Sequence, residues 1–285
     1  NESVDWSSCQ TIRTLVNSVF AIYEQQCGGA MHEQTISVET TDGIMKTFLV
    51  HSEEGGPFAP VVLFMDVWGI REQLFDIARH IASVGYAVAV PNLYYRKGEV
   101  FFDYRQPDGR TTSLKDLPED EQQKIQEFRL HLSDAMAVAD TGALMARLGT
   151  EDAIRPGPVG SIGYCMGGRH VLRVAAAYPE LFQATASLHP TRLVVEGSDS
   201  PHRDAGEIRG EYYSGFGSED HYTPPEVIAG VRAAFNGQPA TYSDTLHEGV
   251  PHGYAIPDRD VYAKHAAFRD WELIFAMYDR VLRGR

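Results

Sequence analysis

The amino-acid sequence predicts an α/β fold with a mostly parallel central sheet covered by helices on both faces. From residue 60 onward, short apolar runs alternate with longer segments of helical periodicity. Residues 61–67 (VVLFMDV) form an apolar run that is typical of a strand buried on both faces. Residues 71–84 then place Leu74, Ile77 and Ile81 on one helical face before Gly85. This alternation favours a parallel sheet, because parallel neighbours are joined by crossover helices.

The first thirty residues have a different character. Residues 11–25 show helical spacing, and Gly28-Gly29 ends the pattern. We therefore predict a helical extension over residues 1–30 and a single main domain over residues 31–285.

The other elements follow from apolar periodicity and from the positions of glycine and proline. Residues 92–118 are expected to be irregular, and loops of that length are more often functional than idle. A helix over residues 119–148 is expected to break near Gly142. The last helix places large apolar side chains on one face: Phe268, Trp271, Phe275, Tyr278 and Leu282. The remaining predicted elements are strands at 34–39, 45–51, 86–90, 159–163, 184–188, 207–216 and 240–245, and helices at 165–177 and 224–235.

Charge and composition exclude several classes of protein. The chain has 285 residues, with 39 acidic and 25 basic side chains and a formal net charge of −14. Such a surface repels phosphate backbones and anionic lipid, so neither a nucleic acid nor a membrane is an expected partner. No apolar run approaches the length of a membrane span. The expected partner is a small molecule, and the expected assembly is a monomer or a homodimer.

Three cysteines do not make a disulfide framework. Cys9 and Cys27 lie near the start, and only Cys165 lies in the body of the chain. A cytoplasmic location is therefore expected, although a bridge between Cys9 and Cys27 in an exported protein stays open. No paired histidine and cysteine spacing suggests a metal, and no cofactor is expected.

Cys165 lies at the centre of the most informative segment, residues 160–168 (GSIGYCMGG). Glycines at 163 and 167 allow a sharp turn from strand to helix, which exposes the side chain between them. The amide of Met166 then becomes an oxyanion-hole donor, and the helix dipole favours a thiolate. A buried structural cysteine is the simpler interpretation of the motif alone. The strand before it and the helix after it favour a nucleophile.

A cysteine nucleophile needs a base, and the base needs an orienting acid. Asp220 follows a predicted strand within GSED, and His252 lies in PHGY between the last strand and the last helix. Both positions fit the chain order of nucleophile, acid and histidine that G-x-nucleophile-x-G folds use. Position favours this pair over the other candidate bases and acids, which are His189, His221, His247, Glu219 and Asp244.

Several segments together resemble the dienelactone hydrolase family of α/β hydrolases. These are FMDVWGIREQ (64–73), AVPNLYYRKG (89–98), GSIGYCMGGR (160–169), GSED (217–220) and PHGYAIPDR (251–259). The resemblance covers about residues 31–282. It implies an α/β-hydrolase fold and cleavage of an ester or lactone, of the dienelactone type or a related small carboxylic ester, through a thioester intermediate.

The resemblance also implies roles for individual residues. Cys165, His252 and Asp220 match the nucleophile, the base and the orienting acid. The backbone amide of Val67 joins that of Met166 as the second oxyanion donor.

Further roles carry over less completely. Asp66 matches a glutamate that restrains the thiol in members of the family, and it is one methylene shorter. Arg96 matches the first of two arginines that bind a substrate carboxylate, whereas Ile256 stands in place of the second, with Arg259 nearby in a different register. Pocket walls are expected from aromatic side chains, namely Trp68, Tyr94, Tyr95 and Tyr254.

Two alternatives remain at this point. A glutaminase-like cysteine amidase of class I also uses a G-x-C-x-G turn, but it places its acid two residues after the histidine, where this chain has Tyr254. A non-catalytic α/β-hydrolase scaffold that serves as a binding protein is the other. An intact nucleophile, base and acid count against it.

Overall fold

The computed structural model describes residues 30–98, 102 and 104–283 of the chain. The predicted helix at 11–25, Cys9 and Cys27 lie outside the described residues, as do residues 284–285 at the other end.

An eight-stranded sheet forms the centre of the fold, in the order β1-β2-β4-β3-β5-β6-β7-β8. The first two strands form an antiparallel hairpin, β2 pairs antiparallel with β4, and all the pairs from β4 to β8 are parallel. This confirms the predicted mostly parallel sheet. The strands are β1 (Met31–Thr40), β2 (Gly43–Ser52), β3 (Pro60–Phe64), β4 (Ala87–Pro91), β5 (Val159–Tyr164), β6 (Phe182–Leu188), β7 (Glu211–Gly217) and β8 (Thr241–His247).

The helices alternate with the parallel strands, as predicted. All residues of β3, β4 and β5 are buried, as expected for parallel strands that are covered on both faces. The α-helices in the described ranges are α1 (Glu72–Ser83), α2 (Glu119–His131), α3 (Asp134–Leu148), α4 (Met166–Ala177), α5 (Pro225–Phe235) and α6 (Lys264–Tyr278). None of them combines the length and the apolar character that a bilayer crossing requires.

The break in the predicted helix at 119–148 falls ten residues earlier than expected. Leu132 has extended backbone angles, and the hydroxyl of Ser133 accepts a hydrogen bond from the amide of Met136, which starts α3. Gly142 lies inside α3, where a Cβ atom would collide with the hydroxyl of Tyr178. The glycine therefore serves close packing of α3 against the end of α4, and the serine cap is the signal that marks the break.

Two predicted strands are shorter in the structure. The strand at 61–67 ends at Phe64, and residues 65–68 form a loop instead. The strand at 207–216 begins only at Glu211, because a 3-10 helix occupies Pro201–Glu207. The first difference lengthens the loop at the carboxyl end of β3, the edge where ligands of such sheets bind. The second lies at the amino end of β7.

The predicted face of the last helix is only partly its buried face. Tyr278 and Leu282 are buried, whereas Trp271 and Phe275 stack on each other with ring centroids 5.0 Å apart and stay half-buried. Asp270 is fully buried on the same face as Ile274 and Met277. The helix therefore carries a polar anchor that apolar periodicity alone does not reveal.

We expect Ser133→Ala to lower the free energy of unfolding by about 1 kcal/mol, because the amide of Met136 loses its capping acceptor. Urea denaturation at neutral pH measures the change. Ser83→Ala, which removes an exposed hydroxyl at the end of α1, serves as the control and should shift stability by less than about 0.5 kcal/mol. Equal losses in both variants would contradict the capping role.

Candidate active site

Cys165 lies in the sharp turn between β5 and α4. Its backbone adopts φ 55° and ψ −113°, a conformation that non-glycine residues rarely adopt. Two hydrogen bonds hold this conformation: the amide of Cys165 donates to the carbonyl of Leu188 at 3.1 Å, and the amide of Thr191 donates to the carbonyl of Cys165 at 3.1 Å. The segment after β6 therefore clamps the turn from both sides and presents the thiol to a cavity.

The glycines of the motif are required by close approach of the backbone. A Cβ atom on Gly163 would collide with the carbonyl oxygen of Gly167. A Cβ atom on Gly167 would collide with the carbonyl oxygen of Phe64 at the end of β3. The first turn of α4 thus rests directly on the backbone of two strands, as the predicted sharp turn from strand to helix requires.

The structure brings His252 and Asp220 into direct contact. Asp220 lies in the turn after β7, and its Oδ2 is 2.7 Å from Nδ1 of His252. The amide of Tyr222 donates to the other carboxylate oxygen at 2.8 Å. The Asp220 side chain is fully buried, so this carboxylate has a fixed position and few competing partners.

The charge state of His252 follows from this contact and from the thiol. Burial alone would lower the pKa of His252. The negative charge of Cys165 and the hydrogen bonds with Asp220 and Cys165 outweigh burial and raise the pKa to about 10. At neutral pH this pKa makes His252 an imidazolium.

Two backbone amides beside Cys165 are free to bind an oxyanion. Within the described residues, neither Val67 nor Met166 donates its N–H to another group, and both residues line the same cavity as the thiol. The carbonyl of Asp66 accepts the amide of Gly69 at 3.1 Å, which fixes the peptide plane that carries the N–H of Val67. The hydroxyl of Tyr94 fixes the next plane by donating to the carbonyl of Val67 at 3.0 Å.

Asp66 is engaged by an arginine rather than by the thiol. Arg71 donates to both of its carboxylate oxygens, at 2.7 and 3.1 Å, and the amide of Trp68 adds a third contact at 3.1 Å. The same guanidinium donates to Asp258 at 2.9 and 3.2 Å. No hydrogen bond joins Asp66 and Cys165 in the described part of the chain. Asp66 therefore supports the loop that follows β3 through its contacts with Trp68 and Arg71. Its predicted action on the thiol of Cys165 stays a prediction, since no hydrogen bond joins the two groups.

Arg96, the residue expected to bind a substrate carboxylate, is paired with carboxylates of this chain, and its role toward substrate stays a prediction. Its guanidinium donates to Asp140 at 2.7 and 2.8 Å and to Asp42 at 2.6 Å. It also lies over the aromatic ring of Tyr95, 4.5 Å from the ring centroid. The Arg96 side chain is 8% exposed and does not line the cavity of Cys165. These partners lie far away in the sequence, so the local motif gave no sign of them.

The predicted aromatic pocket walls lie behind the cavity rather than in it. Trp68 and Tyr254 are fully buried, and Tyr94 is 3% exposed. Tyr254 donates its hydroxyl to Asp270 at 2.7 Å, and Tyr95 donates to Asp140 at 3.1 Å. None of these four side chains lines the cavity of Cys165, and their role in substrate binding stays a prediction without a contact.

Tyr222 is a cavity residue that the sequence did not single out. Its side chain is 41% exposed, its ring lies 4.7 Å from that of His252, and it lines the cavity with Cys165. Burial and the charge of Cys165 both raise its pKa. Its position two residues after Asp220, the predicted acid, is the sequence feature that could have identified it as a cavity residue.

The rival bases and acids have other partners. His247 bonds to Asp270 at 2.8 Å, and Asp244 accepts two hydrogen bonds from Arg232. His189 is buried against the ring of His252, with centroids 4.9 Å apart, and burial holds its pKa well below the usual value. None of these three groups therefore replaces Asp220 or His252.

A cavity of about 950 Å³ opens at Cys165. Its walls come from Val67 in the loop after β3, from α4, and from the corner between α2 and α3. Within the described ranges, no three histidine, cysteine, aspartate or glutamate side chains are grouped as a metal ion would require.

Comparison with known proteins identifies relatives of the whole fold. Residues 45–282 match the profile of the dienelactone hydrolase family. A carboxymethylenebutenolidase of Pseudomonas putida is 25% identical over 240 residues, which cover 83% of this chain and 92% of that protein.

Solved structures share the architecture. A protein of Klebsiella pneumoniae, described as a candidate dienelactone hydrolase, superimposes with a TM-score of 0.75 at 19% identity, over 88% of this chain and 100% of that one. An acylaminoacyl peptidase of Pyrococcus horikoshii gives a TM-score of 0.61 at 15% identity, over 88% of this chain and 42% of that chain. At these identities the likeness shows an α/β-hydrolase fold.

We expect Arg96→Met to lower the free energy of unfolding by about 3–5 kcal/mol, because it leaves the buried Asp140 without its cation. Chemical denaturation measures the loss. The double variant Arg96→Met/Asp140→Leu should recover most of it, since no unpaired charge remains. A selective loss of ester turnover in Arg96→Met with unchanged stability would instead restore a role in substrate binding.

We expect Cys165→Ala to lower the pKa of His252, because the negative charge that raises it is gone. In the intact protein, the raised pKa of His252 adds to the free energy of unfolding. This contribution is complete below the ordinary pKa of 6.5 and is lost as the pH rises through about 10. An NMR titration of the ring nitrogens in both proteins measures the shift. An unchanged pKa in Cys165→Ala would show that the thiol carries no charge beside His252.

Proposed function

We propose that this chain, which belongs to the dienelactone hydrolase family and is a hydrolase of that type, cleaves esters or lactones. The proposed mechanism uses a Cys165–His252–Asp220 triad and forms a thioester intermediate. The observation that carries the proposal is the 2.7 Å hydrogen bond between Asp220 and His252, on loops that bring the imidazole to Cys165. A small ester or lactone is the proposed partner.

The first half-reaction transfers the acyl group to sulfur. The Cys165 thiolate attacks the carbonyl carbon, a C–S bond forms, and the carbonyl oxygen becomes an oxyanion. The amides of Val67 and Met166 stabilise that oxyanion, and one such donor contributes about 3–4 kcal/mol in comparable sites. As the C–O bond to the alcohol breaks, the His252 imidazolium donates a proton to the departing oxygen. The products of this half are an alcohol and an acylated Cys165.

The second half-reaction returns the enzyme to its starting state. Neutral His252 takes a proton from water, whose oxygen attacks the thioester carbon. The same two amides stabilise the second oxyanion. The C–S bond then breaks, which releases a carboxylic acid and restores the thiolate beside the imidazolium. Asp220 orients the ring throughout, since its bond to Nδ1 leaves Nε2 as the nitrogen that exchanges protons.

The structure disfavours the amidase alternative at one particular position. A class I amidase would need an acid two residues after the histidine, and here that residue is Tyr254, whose hydroxyl donates to Asp270. The acid that does contact His252 comes 32 residues earlier in the chain.

We expect Cys165→Ala to abolish hydrolysis of p-nitrophenyl acetate, whereas the intact enzyme should give a burst of nitrophenol as the thioester accumulates. Mass spectrometry of acid-quenched enzyme should place an acetyl group on the peptide that contains Cys165. Double substitution of Cys9 and Cys27 by alanine is the control, because it removes the other thiols and should leave the burst intact. Undiminished turnover by Cys165→Ala would refute the thioester route.

A further inference from the structure

The cavity at Cys165 is larger than a small lactone needs and continues along α4. Met166, Arg169, Arg173 and Ala177 line it in succession. At the rise of an α-helix, these positions extend over about 16 Å. The nucleophile therefore sits at one end of an elongated cavity, and a substrate can occupy the space beyond the scissile bond.

An apolar wall lines the cavity together with Met166, the residue after Cys165, and we call it the apolar corner. Its members are Leu130 and Leu132, at the junction of α2 and α3, and Leu114, in a short 3-10 helix before α2. Leu132 is 7% exposed and belongs to the core, whereas Leu130 is 72% exposed. Single exposed leucines are common on proteins, but this one adjoins other apolar side chains at the mouth of a catalytic cavity.

Two arginines farther along the cavity are paired with carboxylates of the chain. Arg169 bonds to Asp134 at 2.9 Å through Nε, and Arg173 bonds to Asp134 at 3.1 Å and to Asp204 at 2.5 Å. Arg96 is committed to Asp140 and Asp42, as described above. Neither position of the arginine pair that the resemblance implies therefore offers a free guanidinium, because Arg96 is paired and position 256 holds a buried isoleucine.

From these contacts we propose that the substrates carry an apolar group of several carbons, which binds in the apolar corner while the ester carbonyl lies at Cys165. The inference deepens the proposed function and rests on it. Moving a hydrocarbon group out of water supplies the binding free energy, and leucine side chains offer it no hydrogen bond to satisfy.

Two cavity arginines, Arg129 and Arg192, point to a different substrate. Arg129 donates to Gln126 on the same helix, and no carboxylate among the described residues pairs with either guanidinium. An ester with an anionic tail is therefore the rival ligand, and the experiment must contain one.

The test compares p-nitrophenyl esters of acetate, butyrate, hexanoate and glutarate, the last as its monoanion, together with ethyl and hexyl acetate. A fully buried methylene changes kcat/KM by about fourfold, so a half-exposed corner should give hexanoate about a tenfold advantage over acetate, mainly through KM. A comparable gain from ethyl to hexyl acetate would place the apolar group on the alcohol side. Flat values along both series, or faster turnover of glutarate than of hexanoate, would overturn the proposal.

Matched variants locate the effect. Leu130→Gln should lower the ratio of hexanoate to acetate kcat/KM by about fivefold, because a polar side chain of similar size replaces the apolar contact with the substrate. Leu246→Gln changes another exposed leucine, on β8 and away from the cavity, and should leave the ratio as it is. An unchanged ratio in Leu130→Gln would exclude the corner as the binding site.

The outcomes also separate this inference from the proposed function. If Cys165→Ala still hydrolyses every ester, the triad fails whatever the chain-length profile shows. If Cys165→Ala is inactive and the intact enzyme shows no preference for longer chains, only the apolar corner fails.

Discussion

The close contact between the first turn of α4 and the ends of β3 and β5 is the constraint on which the site depends. No side chain fits between Gly167 and the carbonyl of Phe64, so the helix starts on the backbone itself. Cys165 takes a strained conformation as a result, at a cost of about 1–3 kcal/mol for such residues. The hydrogen bonds to Leu188 and Thr191 offset that cost and fix the nucleophile relative to the neighbouring strand.

Buried ion pairs then tie the loops of this edge to one another. Arg71 links Asp66, which precedes Val67, to Asp258, on the segment that follows His252. A single guanidinium therefore connects the loop of the proposed oxyanion donor Val67 with the loop that carries His252, the proposed base. In a chain with a formal net charge of −14, this arginine orders two carboxylates that would otherwise repel each other.

The sequence predicted what local patterns and chain order determine. The strand and helix alternation, the turn at Cys165 and the loops of Asp220 and His252 all follow from motifs of a few residues, and the structure brings the last two into hydrogen-bond contact. The direction of a side chain beyond a strand end does not follow from such motifs. Arg96 turns to Asp42 and Asp140, which come from a hairpin and a helix distant in sequence, and Trp68 turns into the core.

The link through Arg71 bears on how this site can change during evolution. A glutamate at position 66 would add a methylene and push its oxygens out of register with a guanidinium that Asp258 also holds. A change at position 66 therefore disturbs a guanidinium that also holds residue 258, and we expect it to require compensating changes at positions 71 or 258.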